Sequence, residues 1–173
     1  AFNMASSIQL SLQMQKGSKA DGTLGYMTEE QYEQLVNSDF VEQAGHRRII
    51  GYASNTSSHS IEINYADSVQ QELTFCVPTH GAAPEKANEI ATTDLALKAL
   101  GVEPKIGAAV PLEFELRGKT YHYDMVLSGW WEASNDSVSV ATVSEQFIKE
   151  NPDVVQNTYA VDHEMSGVTF SDV

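Results

Sequence analysis

The stretch Leu112-Glu-Phe-Glu-Leu-Arg-Gly-Lys-Thr-Tyr-His-Tyr-Asp-Met-Val-Leu127 alternates apolar and polar residues on both sides of Arg117-Gly118. A period of two sends successive side chains to opposite faces of a strand, and a two-residue turn ending in glycine sets the register of the strands it joins. An antiparallel hairpin follows. It pairs Phe114 with Tyr121 and Leu112 with Tyr123 on one face, and sets Glu113 against His122 on the other.

Upstream of this hairpin, Glu89-Ile-Ala-Thr92 reads as a short extended piece running into Thr93, whose hydroxyl can cap a helix from Asp94 to Leu100. Gly101 then supplies the left-handed residue that ends it. Downstream, Val138 to Val143 reads as a strand, Ser144 as a helix cap, and Pro152 as the residue that stops that helix. Nearer the start, Ile8, Leu10, Leu12 and Met14 alternate as in a strand, and Gly17 to Gly25 is a turn-rich loop. Thr28 with Gln31 forms a capping box for a helix whose apolar face carries Tyr32, Leu35 and Val36. Arg47 to Tyr52, Ile61 to Tyr65 and Leu73 to Val77 read as strands, with Ser54 to Ser58 a polar turn, and Tyr159 to His163 and Val168 to Phe170 as final extended segments. Short strands mixed with three short helices, without regular strand-helix alternation, predict an α+β fold with mixed or antiparallel strands.

The chain has 173 residues, 42% of them hydrophobic, enough apolar surface to offset chain entropy in one domain or two small lobes. Ten Lys and Arg against 24 Asp and Glu give a net charge of −14, which repels phosphate backbones and argues against nucleic acid as a partner. The single cysteine, Cys76, closes no internal disulfide, and its neighbours Leu73-Thr-Phe-Cys-Val77 suggest a small buried hydrophobe. No run approaches a membrane span, and Ala1 in place of an initiator methionine suits a segment of a longer protein, with any spans outside it.

Catalytic constellations are scarce. Neither a phosphate-binding glycine loop nor a G-x-S-x-G elbow occurs, and the five histidines include no H-x-x-x-H pair, so no cofactor, nucleotide or metal is expected. Ser128-Gly129 reads as a strand terminus. Asp162-His163-Glu164 alternates faces on a strand, so at most two of its side chains converge. His122 and Asp124 share a face with Glu113 and could form a general base, although a solvated cross-strand pair is the favoured reading. Trp130-Trp131 is the candidate partner or ligand contact: on a strand the two point oppositely, one into the core and one outward. Asn55-Thr-Ser57 and Asn135-Asp-Ser137 are N-x-S sequons, used only in a secretory host.

The segment from Pro84 to Trp131 carries a more specific pattern: Asn88-Glu-Ile-Ala91, then Asp94, Leu95, Leu97 and Leu100-Gly101, then Ile106-Gly107, Val110-Pro-Leu112 and Phe114, then Tyr121 to Val126-Leu-Ser-Gly129. In that order it resembles the extracytoplasmic, MacB-like periplasmic core domain of FtsX-like ABC transporter permeases. One departure is Glu103-Pro-Lys-Ile-Gly-Ala-Ala109, longer than the family's turn at that place and without its Asp. The resemblance implies a non-catalytic domain on the extracytoplasmic face of the cell membrane, inserted between transmembrane helices that lie outside this chain. It further implies a membrane-proximal lobe from residues 1–55 and 155–173 and a distal inserted lobe from 56–154. Its implied partners are a cytoplasmic ABC ATPase and an extracytoplasmic adaptor, hydrolase or second permease. A hinge near Ser54–Ser58 and Glu150–Asp153 would let ATP-driven change pass between the lobes. The rival reading from the residues alone is a secreted or surface-anchored glycan-binding module stacking sugars on Trp130 or Trp131. A third is an enzyme using His122.

Overall fold

A computed structural model describes residues 22–24, 29–37, 39, 41–134, 138–156 and 164–170. Its elements in chain order are β1 (Gly22–Leu24), α1 (Glu29–Val36), β2 (Val41–Tyr52), β3 (Ser60–Ala66), α2 (Ser68–Leu73), β4 (His80–Gly81), β5 (Glu89–Thr93), α3 (Asp94–Leu100), β6 (Ala109–Leu116), β7 (Lys119–Trp131), β8 (Val138–Val143), α4 (Glu145–Glu150), α5 (Pro152–Gln156) and β9 (Glu164–Phe170). The described strands form one mixed sheet in the order β1-β9-β2-β3-β8-β5-β7-β4, with β6 on the first half of β7. Pairs β3–β8 and β5–β7 are parallel and the others antiparallel. The fold is α+β. The expected strand over residues 8–14, the Thr28 cap, the Asn135 sequon, the run Tyr159–His163 and with it Asp162 and His163 of the acidic triplet fall outside the described residues.

The hairpin has the expected register: Phe114 pairs with Tyr121, Leu112 with Tyr123 and Glu113 with His122. Arg117 and Gly118 have φ of 51° and 76°, the two positive values of a type I′ turn, whose twist matches that of the strands. An arginine pays no such angle freely, because its Cβ crowds the carbonyl that follows. Arg117→Asn should therefore stabilise the chain by about 0.5–1 kcal/mol, read as a melting temperature raised by roughly 1–4 °C. Phe114 is fully buried and stacks on Tyr121 and Tyr123 with ring centroids 5.5 and 6.0 Å apart. The caps also form: Thr93 Oγ1 accepts from Ala96 N at 3.1 Å, Ser144 Oγ from Phe147 N at 3.0 Å, and Gly101 takes φ 73°.

The sheet curls back on itself. Past the end of β2, Ala53 bridges Phe114, Ser54 N–H donates to Glu113 O at 2.8 Å, and Asn55 Nδ2 donates to Pro111 O at 2.9 Å. Pro111 is tolerated in β6 because it lies on the edge away from β7, where its missing N–H removes no ladder bond. These contacts tie the first residues of the expected hinge at Ser54–Ser58 to β6. Inside the curl, Ile61 and Ile63 of β3, Leu127 of β7 and Val143 of β8 meet Leu97 of α3, Phe147 of α4 and Val154 of α5.

Several local readings change. Leu73–Val77 is not a strand: Asp67 accepts from Gln70 N at 2.8 Å and starts α2, which ends at Leu73. Six residues are too few for helical periodicity to show against the strand-forming run that follows. Pro152 follows the end of α4 as expected, and it also opens α5, where a missing N–H costs nothing. Residues 22–24, read as loop, form β1. Nor is Ser128-Gly129 a strand end, for β7 continues to Trp131. Helix α2 lies against β2 so closely that a Cβ on Gly45 would come within 2.7 Å of Gln70 Cα.

Candidate functional site

His122 Nε2 lies 3.1 Å from Asp124 Oδ1, with the two side chains 54% and 92% exposed. Glu113 sits opposite on β6. This is the solvated cross-strand grouping, without the enclosure that general-base chemistry requires.

The two tryptophans point to opposite faces of β7, and a bulge decides which takes which. Ile90 pairs with Leu127 but Ala91 pairs with Gly129, so Ser128 is an extra residue on β7 and the alternation resets after it. Ser128 Oγ lies 3.0 Å from Ala82 O and 3.3 Å from Ile90 O, sharing one proton between two carbonyls. Trp130 is half-buried, packs on the core and is covered by the ring of His80, parallel within 7° at 3.8 Å. Trp131 is only 4% exposed. Neither indole stands out into solvent, contrary to the expectation of one outward ring. His80 carried no sequence signal, since it belongs to a two-residue strand flanked by Pro78 and Pro84.

Trp131 lines a cavity of about 210 Å³ between α2, the loop after it, and the face of β2, β3 and β8 that lies opposite the apolar core. Asn64 reaches this lining because it lies, with its neighbour Glu62, on the side of β3 opposite the core residues Ile61 and Ile63. Asn64 Nδ2 donates to Glu62 Oε2 at 2.8 Å, Thr142 Oγ1 donates to Asn64 Oδ1 at 3.1 Å, and Arg47 Nη1 lies 3.8 Å from the same Glu62 oxygen. At one end Ser139 Oγ lies 2.6 Å from His59 Nε2 and also contacts the Thr93 hydroxyl.

Phe75 and Cys76 close the other side. Phe75 holds φ 59°, an angle that a bulky side chain rarely adopts. Cys76 Sγ donates to Thr74 O at 3.3 Å, and burial pushes its thiol above the usual range, with the Glu62 carboxylate adding to the rise. Cys76 is thus half-buried as a weak thiol, but in a loop rather than the expected strand. Native Cys76 should react with iodoacetamide at pH 8 roughly tenfold more slowly than in the urea-unfolded chain, because the thiolate is the nucleophile. Comparing alkylation rates by mass spectrometry checks this. An open groove of about 560 Å³ adjoins the cavity and shares Phe75, Trp131 and Ser134 with it, with Glu72 and Glu132 on its rim. Among the described residues no group of three or more His, Cys, Asp and Glu is placed to hold a metal ion, and no helix is long and apolar enough to cross a membrane.

Compared with solved structures, the chain matches the extracellular domain of the ABC-type transporter YknZ from Gram-positive bacteria, with a TM-score of 0.54. The fold is similar to that of an ABC-transporter extracellular domain. The match covers 85% of this chain and 74% of that one at 15% identity. It agrees with the resemblance carried by Pro84 to Trp131, which the structure folds as β5, α3, β6 and β7. No protein-family model and no curated protein matches the chain.

Proposed function

We propose that this chain is the extracytoplasmic domain of an FtsX-like ABC transporter permease, without catalytic chemistry of its own. In this reading it relays ATP-driven motion of a cytoplasmic ATPase, through transmembrane helices outside the chain, to a substrate or an extracytoplasmic adaptor, hydrolase or second permease. The observation that carries it is the shared fold with a transporter extracellular domain. A lobe from residues 1–55 and 155–173 would face the membrane and 56–154 would project from it. Because Ala53 to Asn55 are bonded to β6, bending between the lobes would fall elsewhere, with Glu150–Asp153, between α4 and α5, the remaining candidate.

The test uses the complete gene product in its native membrane. Lys119, exposed at the hairpin turn, is replaced by Cys in a Cys76→Ser background, and intact cells are treated with a membrane-impermeant maleimide. Labelling in intact cells, with co-purification of an ABC ATPase, is the expected result. A protein that is labelled only after lysis, or that is released as a soluble chain after signal cleavage, overturns the reading.

A further inference from the structure

We propose that the open groove beside β4 docks lysine or arginine side chains carried by an extended segment of a protein partner. This rests on the groove alone and does not depend on the transporter reading.

Shape sets the kind of occupant. The groove measures about 560 Å³, and six of its eight lining residues, Glu72, Val77, Thr79, His80, Glu132 and Ser134, are exposed. A small-molecule site encloses most of its ligand, so a groove this open suits side chains whose backbone stays outside, on a larger partner. Thr79 and His80 bring the groove to β4, which ends the sheet with β7 on one side and, among the described residues, no strand on the other. An extended segment fits beside such an edge.

Chemistry sets the sign of the charge. Val77, 48% exposed, and half-buried Phe75 give the lining its apolar part. The Glu72 and Glu132 carboxylates on the rim have no hydrogen bond or ion pair among the described residues. No Lys or Arg lines the groove, and none occurs from residue 49 to 85 or from 120 to 148, the two runs that supply its lining. Residues 135–137, outside the described ones, are Asn, Asp and Ser, so wherever they lie they add no positive charge. Arg47 belongs to the adjoining cavity, beside Glu62. An acidic or phosphorylated partner is therefore repelled, and an entirely apolar one would cover two carboxylates and leave them unpaired. Lysine and arginine join an aliphatic stem to a cationic head, the stem for Val77 and Phe75 and the head for the carboxylates. The net charge of −14 draws such a segment in from a distance.

The purified chain is titrated with a synthetic hexapeptide of alternating valine and lysine, and its amide shifts are followed by heteronuclear NMR. Two further hexapeptides carry glutamate in place of lysine or serine in place of valine. The valine–lysine peptide should bind with a dissociation constant of about 0.1–1 mM, shift the amides of Val77, Thr79, His80 and Glu132 most, and lose about threefold in affinity between roughly 50 and 300 mM salt. The glutamate peptide should not bind, and the serine peptide should bind about fivefold more weakly. Glu72→Gln and Glu132→Gln should each weaken binding about threefold and together about tenfold. Glu115→Gln with Asp124→Asn removes two exposed charges from the β6–β7 hairpin instead and should weaken it less than about twofold. If the Glu72 and Glu132 double variant loses its circular dichroism spectrum, the shift map of the unaltered chain decides. Absence of binding, shifts centred away from the groove, equal binding of the glutamate or serine peptide, or equal weakening by the hairpin pair overturns the proposal. None of these outcomes bears on the membrane-labelling result.

Discussion

Phe114→Ala should lower the melting temperature by about 6–20 °C. Phe114 has no exposed surface and lies between Tyr121 and Tyr123 across the β6–β7 hairpin, so truncation removes both ring contacts and leaves a cavity. Large-to-small changes of a buried phenylalanine cost about 3–5 kcal/mol, and in a chain of this size each kcal/mol moves the transition by about 2–4 °C. The same residue pairs with Ala53, so the closure of the curled sheet is weakened together with its core. Phe114→Leu retains most of the volume and should lose less than half as much. Equal losses for the two would mean that ring stacking rather than cavity formation dominates, and no loss for Phe114→Ala would mean that the hairpin does not hold the core. Thermal unfolding followed by circular dichroism separates these outcomes.

Gly129→Ala should have the second largest effect, through strand β4. An alanine Cβ at 129 would fall 2.4 Å from Ala82 O and 2.9 Å from Pro78 Cβ, and the facing Gly81, at φ 73°, has no room either: its Cβ would meet Ser128 O at 2.3 Å. These neighbours are backbone or proline atoms that cannot rotate aside, so β4 must leave β7. Overpacking of this kind costs about 1–3 kcal/mol. The loss has a spectroscopic signature that a general destabilisation lacks. His80 departs with β4 and uncovers Trp130, so native-state tryptophan emission should shift to the red while the far-ultraviolet spectrum stays close to that of the parent. A destabilised chain with unshifted emission would contradict the displacement of β4. Gly81→Ala should produce the same red shift, and the double change should cost less than the sum, because either one already detaches the strand.

The parts that were legible in the amino-acid order are those whose signals are local. Thr93, Gly101 and Ser144 mark helix ends by their own side chain or backbone, and the Arg117-Gly118 turn carries its register within two residues. What stayed hidden is set by distant partners. Asn64 meets Thr142 through the parallel pairing of β3 with β8, and no periodicity in either strand announces a neighbour so far along the chain. Nothing in the strand pattern of Ile61 to Tyr65 shows that its polar side is covered by α2, which is too short to leave a periodic trace. The directions of Trp130 and Trp131 depend on the bulge at Ser128, which is defined only by its partner β5. The cavity joins segments from Arg47 to Thr142, so its residues could be named one by one but not assembled.

The edge formed by β1, β9 and β2 has a mechanical meaning. Gly22 pairs with Val168 and Val41 with Phe170, so the leading ends of β1 and β2 lie beside the trailing end of β9. Tension applied between Gly22 and Phe170 would peel these ladders one hydrogen bond at a time instead of shearing them all together. Such an edge yields at low force while strands β3 to β8 carry no load, which makes it the compliant rim of a stiff body.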